Sequence, residues 1–294
     1  MNWEDQLIQL YCHVCDLYHR ELWVYCERFS PNAHPDFTDE EVITIYLFGI
    51  MEKRFEVAQI HKHTHDHLSQ WFPKLPSYGG YIQRLNTLSA VFPPLLNALA
   101  PVWTDGSKVG LAFLLDSMPI MLARGSRRFQ AKVAREVADC GYCASKKLAY
   151  YGLKLHVLGI RQAGTLPHPE YLELTSARPH DLTVLDGITP YLRQGDLYAD
   201  KAYASEVLET LLAYQEMLLL TPTKKAKGQE KLHMFEQLWS TAVSRVRQPI
   251  ESFFSWLERS TGIQIASTVR SLNGLLVHVY GRLAAAMYML SFNS

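Results

Sequence analysis

The sequence predicts an α/β protein, a mixed sheet with flanking helices preceded by an all-helical N-terminal domain. Two observations carry this. The first hundred residues show helical periodicity and helix punctuation, whereas from about residue 105 onward apolar segments of strand length alternate with helical ones. The expected domains are residues 1–105 and 106–294, and 48% hydrophobic with 12% aromatic residues can fill both cores.

Taken in order, an amphipathic helix is expected over Trp3–Phe29, then a turn at Pro31 and Pro35. Thr38-Asp39-Glu40-Glu41 reads as a capping box that opens a helix over Val42–Met51. A third helix is expected over Phe55–Phe72 and a fourth over Tyr81–Phe92, stopped by Pro93-Pro94. This bundle serves either as a helix-turn-helix DNA reader, with Arg84 or Lys74 as contacts, or as a packing and dimerisation module. His61, His63, His65 and His67 spread around a helical cylinder, which assigns them to the surface rather than to a metal.

Strands are expected at Gly110–Leu122, Tyr151–Ile160 and Tyr171–Thr175, followed by a helix over Leu182–Leu192 and a strand ending at Asp200. A helix from Ser205 to Tyr214, a strand over Met217–Thr221 and two C-terminal helices complete the domain. Pro249 suits the first turn and Gly262 the exit of a helix of about thirteen residues. Within it Ile250, Phe253, Phe254 and Leu257 follow i, i+3, i+4, i+7 spacing, which leaves Glu251 at the edge of the buried face.

Three carboxylates stand in surroundings that call for chemistry. Asp116 lies in the middle of the apolar stretch Val109–Ala123, Asp200 follows Leu197-Tyr198-Ala199, and Glu251 opens an aromatic-rich segment. A buried charge costs several kcal/mol unless it is paired or bound to metal, so three such acids point to one site for a hard metal. Their bland readings are a hydrogen-bonded buried acid, a turn residue and an acid in the first helical turn.

Net charge is zero but unevenly spread: residues 1–100 hold 7 Lys/Arg against 12 Asp/Glu, and residues 101–294 hold 22 against 17. Arg124, Arg127, Arg128, Lys132, Arg135, Lys146, Lys147 and Lys154 face only Glu136 and Asp139 in their stretch, a phosphate-binding surface in prospect. Lys224, Lys225, Lys227 and Lys231, with Glu230, mark a second basic segment over Thr221–Lys231, expected as a mobile loop over DNA or as a solvated surface loop. The five cysteines form no secreted-type framework, since the pairs Cys12/Cys15 and Cys140/Cys143 lie 128 residues apart; free thiols on helix faces are expected. The most apolar stretch, Leu275–Leu290, carries Arg282, and the N-terminus is acidic, so a soluble cytoplasmic protein without a membrane role is expected.

The ordered series Leu115-Asp116-Ser117-Met118-Pro119-Ile120, Gly141-Tyr142, Ala144-Ser145-Lys146-Lys147 and Tyr151-Gly152-Leu153-Lys154-Leu155-His156 resembles the catalytic domain of bacterial insertion-sequence transposases of the DDE type. Leu174-Thr175-Ser176-Ala177-Arg178-Pro179-His180-Asp181, Tyr198-Ala199-Asp200-Lys201-Ala202-Tyr203 and Arg247-Gln248-Pro249-Ile250-Glu251-Ser252-Phe253-Phe254 continue it over roughly residues 110–260. The resemblance implies a ribonuclease H-like fold and carries the acidic triad onto Asp116, Asp200 and Glu251. Arg247 matches the family's arginine, whereas Ser244 and Glu258 stand where relatives have a tyrosine and a lysine; Arg245 or Arg259 are the substitutes at hand.

On that resemblance the expected activity is cleavage at the ends of a mobile element and joining of the freed 3′ hydroxyl to target DNA. Asp116, Asp200 and Glu251 would hold two Mg2+ ions, with Mn2+ as the alternative. The expected partners are double-stranded DNA, both terminal inverted repeats and target, and a second copy of the chain, a homodimer on paired ends in a bacterial cytoplasm at the nucleoid. Expected DNA contacts are Arg124, Arg127, Arg128, Lys146, Lys147, Lys154, Lys224, Lys225, Arg245 and Arg247, with Trp256 or Tyr203 able to stack on a displaced base. The rival readings are a metal-dependent nuclease of the same fold that only cuts, and a non-catalytic DNA-binding regulator of transposition.

Overall fold

The computed structural model describes residues 2–26, 35–99, 111–144, 146–178, 188, 192 and 194–292. Helix α1 (Trp3–Leu17) starts where the Asn2 side chain accepts the Glu4 and Asp5 N–H groups, and it continues as a π turn (Tyr18–Leu22) and a 3-10 turn (Trp23–Tyr25). The capping box before α2 (Asp39–Met51) forms in both directions: Thr38 N–H donates to Glu41 at 2.7 Å and Glu41 N–H donates to the Thr38 hydroxyl at 3.3 Å. Helices α3 (Val57–His67), α4 (Tyr78–Thr87) and α5 (Phe92–Leu99) follow.

Two local expectations change here. Pro93 and Pro94 do not stop a helix; they sit in the first turn of α5, where a missing N–H costs nothing, and α4 instead ends at Thr87 in a 3-10 turn. Arg84 is not a DNA contact in waiting, because its guanidinium forks onto both oxygens of the buried Asp39, which also accepts from the Tyr18 hydroxyl. The histidines of α3 do not gather as a set: His63 and His67, one turn apart, bring their ring centroids to 4.9 Å, whereas His61 Nε2 lies 2.9 Å from the Pro76 carbonyl oxygen and His65 is exposed.

The strands are β1 (Leu111–Arg124), β2 (Asp139–Cys143), β3 (Leu148–Ile160), β4 (His168–Ser176), β5 (Gly195–Ala199) and β6 (Met217–Leu220), with α6 (Glu206–Ala213) between the last two. They form one mixed sheet in the order β2-β3-β1-β5-β6, with β4 also on β3. β1, β3, β2 and β4 pair antiparallel, whereas β1–β5 and β5–β6 are parallel. β2 and β4 take successive stretches of one edge of β3, Leu148–Gly152 and Leu153–Ile160. β2 escaped the sequence reading because its five residues, DCGYC, show no apolar alternation that faces a core. It also puts Cys140 and Cys143 on a strand rather than a helix; the five cysteines are free thiols. The helix expected over Leu182–Leu192 falls outside the described residues apart from Ile188 and Leu192, both buried.

After β6, α7 (Met234–Thr261) runs as a single helix through Pro249, where the sequence reading began a new one. Proline in a helix interior removes one hydrogen bond and strains the preceding turn, at a cost of ~3 kcal/mol. Burial of Val243, Ile250 and Phe253 outweighs that cost, since these residues form one stripe at helical spacing across the proline. Replacing Pro249 by Ala should therefore raise the thermal midpoint, by up to ~3 kcal/mol of stability; an unchanged or lower midpoint would mean that the strained turn is itself needed. At the helix exit Gly262 takes φ +62° and its N–H bonds the Glu258 carbonyl at 2.7 Å, as expected of a glycine there.

The chain ends in α8 (Leu272–Leu276), a π turn (Val277–Gly281) and α9 (Arg282–Phe292). Residues 1–102 and 257–294 form one compact unit and residues 103–256 another, so the division differs from the expected boundary at its C-terminal end. Leu283, Ala284, Ala285, Ala286 and Met287 are buried in succession, which needs cover on several sides; α2 and α5 supply it. Leu272–Phe292 is also long and apolar enough to cross a membrane by length and composition alone, but most of it lies in this core.

Within residues 103–256, the core between the sheet and α6 gathers Phe113, Leu115, Leu158, Leu197, Ala199, Tyr203, Leu208 and Leu212 on one face. The opposite face of β1 is left for α7.

Candidate active site

Strand register brings two of the three acids together. Leu115 and Ala199 are the last paired residues of parallel β1 and β5, so Asp116 and Asp200 follow side by side, on strands ~4.8 Å apart. β1 continues beyond this point while β5 ends, and Asp200 closes β5 by accepting the Lys201 N–H at 2.7 Å as a 3-10 turn begins. Asp200 thus sits at the carboxyl end of the parallel strands, the end at which open α/β sheets bind their ligands.

Side-chain alternation fixes the face. Phe113 and Leu115 point into the α6 core, so Leu114 and Asp116 point to the other side. Leu114 pairs with Gly159 on β3, and a Cβ at Gly159 would stand 3.6 Å from Ile250 of α7. The helix therefore lies over the Asp116 face; Arg247 reaches the acid, and Glu251, one turn on, reaches Arg247.

The Arg247 guanidinium joins two of the acids. Nη1 donates to Asp116 Oδ2 at 2.8 Å and Nη2 donates to Glu251 Oε1 at 2.7 Å, while Asp116 Oδ1 accepts the Ser117 N–H at 2.8 Å. The side chains of Arg247 and Asp116 are 13% and 18% exposed, whereas Glu251 is 59% exposed. Arg247 Nε is buried without a hydrogen-bond partner.

The Asp116 carboxyl is pushed up to about 6, first by burial and further by the charges of Asp200 and Glu251; Arg247 and the Ser117 N–H pull in the other direction but do not prevail. The site carries more negative charge than one guanidinium offsets. Three oxygen donors with surplus negative charge suit a hard divalent cation. Among the described residues, however, no three acidic or other ligating side chains converge to hold one as they stand. The donor chemistry of the three acids fits such a cation, and two of them are bonded to Arg247.

The expected DNA contacts divide. Arg247 is at the site, and Arg245 is exposed on the same helix. Arg124 ends β1 eight residues beyond Asp116, which is ~26 Å along a strand, and Arg127, Arg128, Lys146 and Lys147 lie in the turns beyond it. Arg128 bonds the Gly125 carbonyl at 2.8 Å and stacks 4.0 Å over the exposed Phe129. Lys154 pairs with Pro119 in the register and so stands on the sheet face opposite Asp116. Lys224 and Lys225 are exposed in the connector before α7, with Lys225 bonded to the Glu230 carbonyl at 2.7 Å.

Two side chains named for base stacking are otherwise engaged. Tyr203 is buried, with its hydroxyl 3.4 Å from His156 Nδ1, and the half-buried Trp256 packs against Phe253 with ring centroids 5.9 Å apart. Ser244 is exposed, and Glu258 accepts the Gln264 N–H at 2.7 Å, a turn-closing bond that a lysine could not make. The sequence reading missed that Arg247 bonds two of the acids. The i, i+4 spacing of Arg247 and Glu251 on one helix was the available signal.

The model of a family described as a transposase DDE domain matches residues 105–269, more than half of the chain. No curated protein and no solved structure is significantly similar to it.

Proposed function

The chain belongs to the family of transposase DDE domains, and from that premise we propose that it cuts the ends of a mobile DNA element and joins the freed 3′ hydroxyl to target DNA. The observation that supports this is the Arg247 guanidinium bonded to both Asp116 and Glu251, with Asp200 following beside Asp116 in the β1–β5 register. We read the sheet as ribonuclease H-like; an antiparallel half, β4-β3-β1, and a parallel half, β1-β5-β6, that meet at β1 support this.

Domains of this family generally use divalent metal ions. Asp116, Asp200 and Glu251 would hold them here, Mg2+ by preference and Mn2+ as the alternative. When bound, a divalent cation supplies Lewis acidity for attack on a phosphodiester and for the charge on the leaving oxygen. The strands fix Asp116 and Asp200 relative to each other, and α7 delivers Glu251 across from them. Arg247 carries fixed positive charge into the site, matched to a phosphate oxygen. The same acids serve two successive in-line displacements, the first by water and the second by the 3′ hydroxyl, so no protein nucleophile is required.

Arg124, Arg127, Arg128, Lys146 and Lys147, and separately Lys224, Lys225 and Arg245, are proposed to hold duplex on either side of the reacting phosphate. Joining two ends to one target calls for a homodimer on paired ends. Cytoplasmic work at the nucleoid belongs to the same proposal.

The test is an oligonucleotide assay with labelled element ends, a target duplex and Mg2+ or Mn2+, comparing wild type with Asp116→Asn and Asp200→Asn. Joined products from wild type alone are expected. Metal-dependent cuts without joining would replace the proposal by a nuclease, and DNA binding without either product by a regulator of transposition.

A further inference from the structure

We propose that Arg247 is a built-in cation that competes with the divalent metal for the acidic site, so that the free protein holds its acids closed against metal until the guanidinium is displaced. This rests on the divalent-metal reading above and adds how loading of that site is controlled.

The geometry carries it. The guanidinium uses its two ends for two different acids, Asp116 at 2.8 Å and Glu251 at 2.7 Å, which are members of the same proposed ligand set. A divalent cation needs those oxygens, and hard cations take carboxylate oxygens directly at ~2.0–2.6 Å. Arg247 takes one oxygen of each acid and the Ser117 N–H takes the other oxygen of Asp116, so a metal binding these acids must share those oxygens with a donor or displace it. Nor is the arginine anchored elsewhere: its Nε has no partner, so both of its charge-assisted bonds are to acids that the metal would claim.

The pairing is also stronger than a surface ion pair. Arg247 and Asp116 are largely shielded from solvent, where a guanidinium–carboxylate bond is screened far less than in water. Displacement leaves a guanidinium with two unsatisfied ends beside the acids, and a DNA phosphate has the charge and the paired oxygens to take it. Metal and phosphate thus help each other to bind: phosphate draws Arg247 off the acids, and metal frees Arg247 for phosphate.

The experiment uses the full chain and Mn2+ as the probe, with binding followed by the paramagnetic resonance of the free ion in wild type, Arg247→Gln, Arg247→Lys and Asp116→Asn. Arg247→Gln should bind Mn2+ about tenfold more tightly than wild type, equivalent to ~1.4 kcal/mol. Arg247→Lys, which keeps the charge but not the two-ended fork, should fall between them, and it serves if the glutamine variant does not fold. Asp116→Asn should lose most of the binding. Equal affinity in wild type and both Arg247 variants, with binding still lost in Asp116→Asn, would overturn the competition while leaving the metal reading intact. Absence of Mn2+ binding in every form, or binding that survives Asp116→Asn unchanged, would overturn both.

Discussion

Asp116→Asn should abolish cleavage and joining while making the protein more stable at neutral pH. The activity loss is expected to be on the order of 10³-fold or more, comparable to removal of a principal charge-stabilising group from an active site, because asparagine is a far weaker partner for a hard cation. On the proposed contacts duplex binding should persist, since Arg124, Arg127 and their neighbours lie far along β1 from the substituted residue.

The gain in stability follows from the carboxyl being pushed up to about 6 from an ordinary 3.8. An acid raised in the folded state favours folding below its unfolded value and loses that contribution as pH rises through the folded one. At pH 8 ionised Asp116 therefore destabilises the fold, by at most ~3 kcal/mol, and asparagine removes the charge while its side-chain oxygen can still accept the Ser117 N–H. Thermal midpoints measured at pH 8 and pH 4.5 should show Asp116→Asn above wild type at the first and the gap closing at the second. A variant less stable than wild type at pH 8 would mean that the Arg247 pairing outweighs burial.

Much of this site was legible before any coordinates. A carboxylate in the middle of an apolar strand, a second at a strand end and a third on an aromatic helix are conspicuous because burial of charge is costly, and the structure sets Asp116 and Asp200 side by side through the β1–β5 register. Where the reading failed, a local rule met a longer-range contact. Pro249 looks like a helix start to any rule that sees one turn, but the stripe of Val243, Ile250 and Phe253 spans both sides of it. Arg84 looks like an available cation until Asp39, 45 residues away in sequence, takes both ends of it. Lys154 reads as part of a basic patch; that it takes the sheet face opposite Asp116 is a fact that needs the register and not the composition.

That register has its own decisive test at Gly152. It pairs with Met121 of β1 beside a bulge between Met121 and Ala123, and with Asp139 of β2 on its other edge. A Cβ at Gly152 would stand 2.0 Å from the Ile120 carbonyl oxygen and 3.2 Å from the Leu122 nitrogen. Both are backbone atoms, so no side-chain rotation can relieve the overlap, and β1 must move off β3. Gly152→Ala should therefore cost ~3 kcal/mol or more, at the upper end for overpacking, read as a lowered urea midpoint or as loss of soluble protein. Gly79, in α4, has nothing within 4 Å of the same added atom, so Gly79→Ala should be neutral or stabilising by up to ~1 kcal/mol. The two substitutions add the same methyl group, and their opposite signs isolate the strand contact from any general effect of alanine. If Gly152→Ala is as stable as wild type, the β1–β3 pairing is shifted. A one-residue shift turns every side chain of a strand to the other face, and Asp116 would then no longer face Arg247 and Glu251.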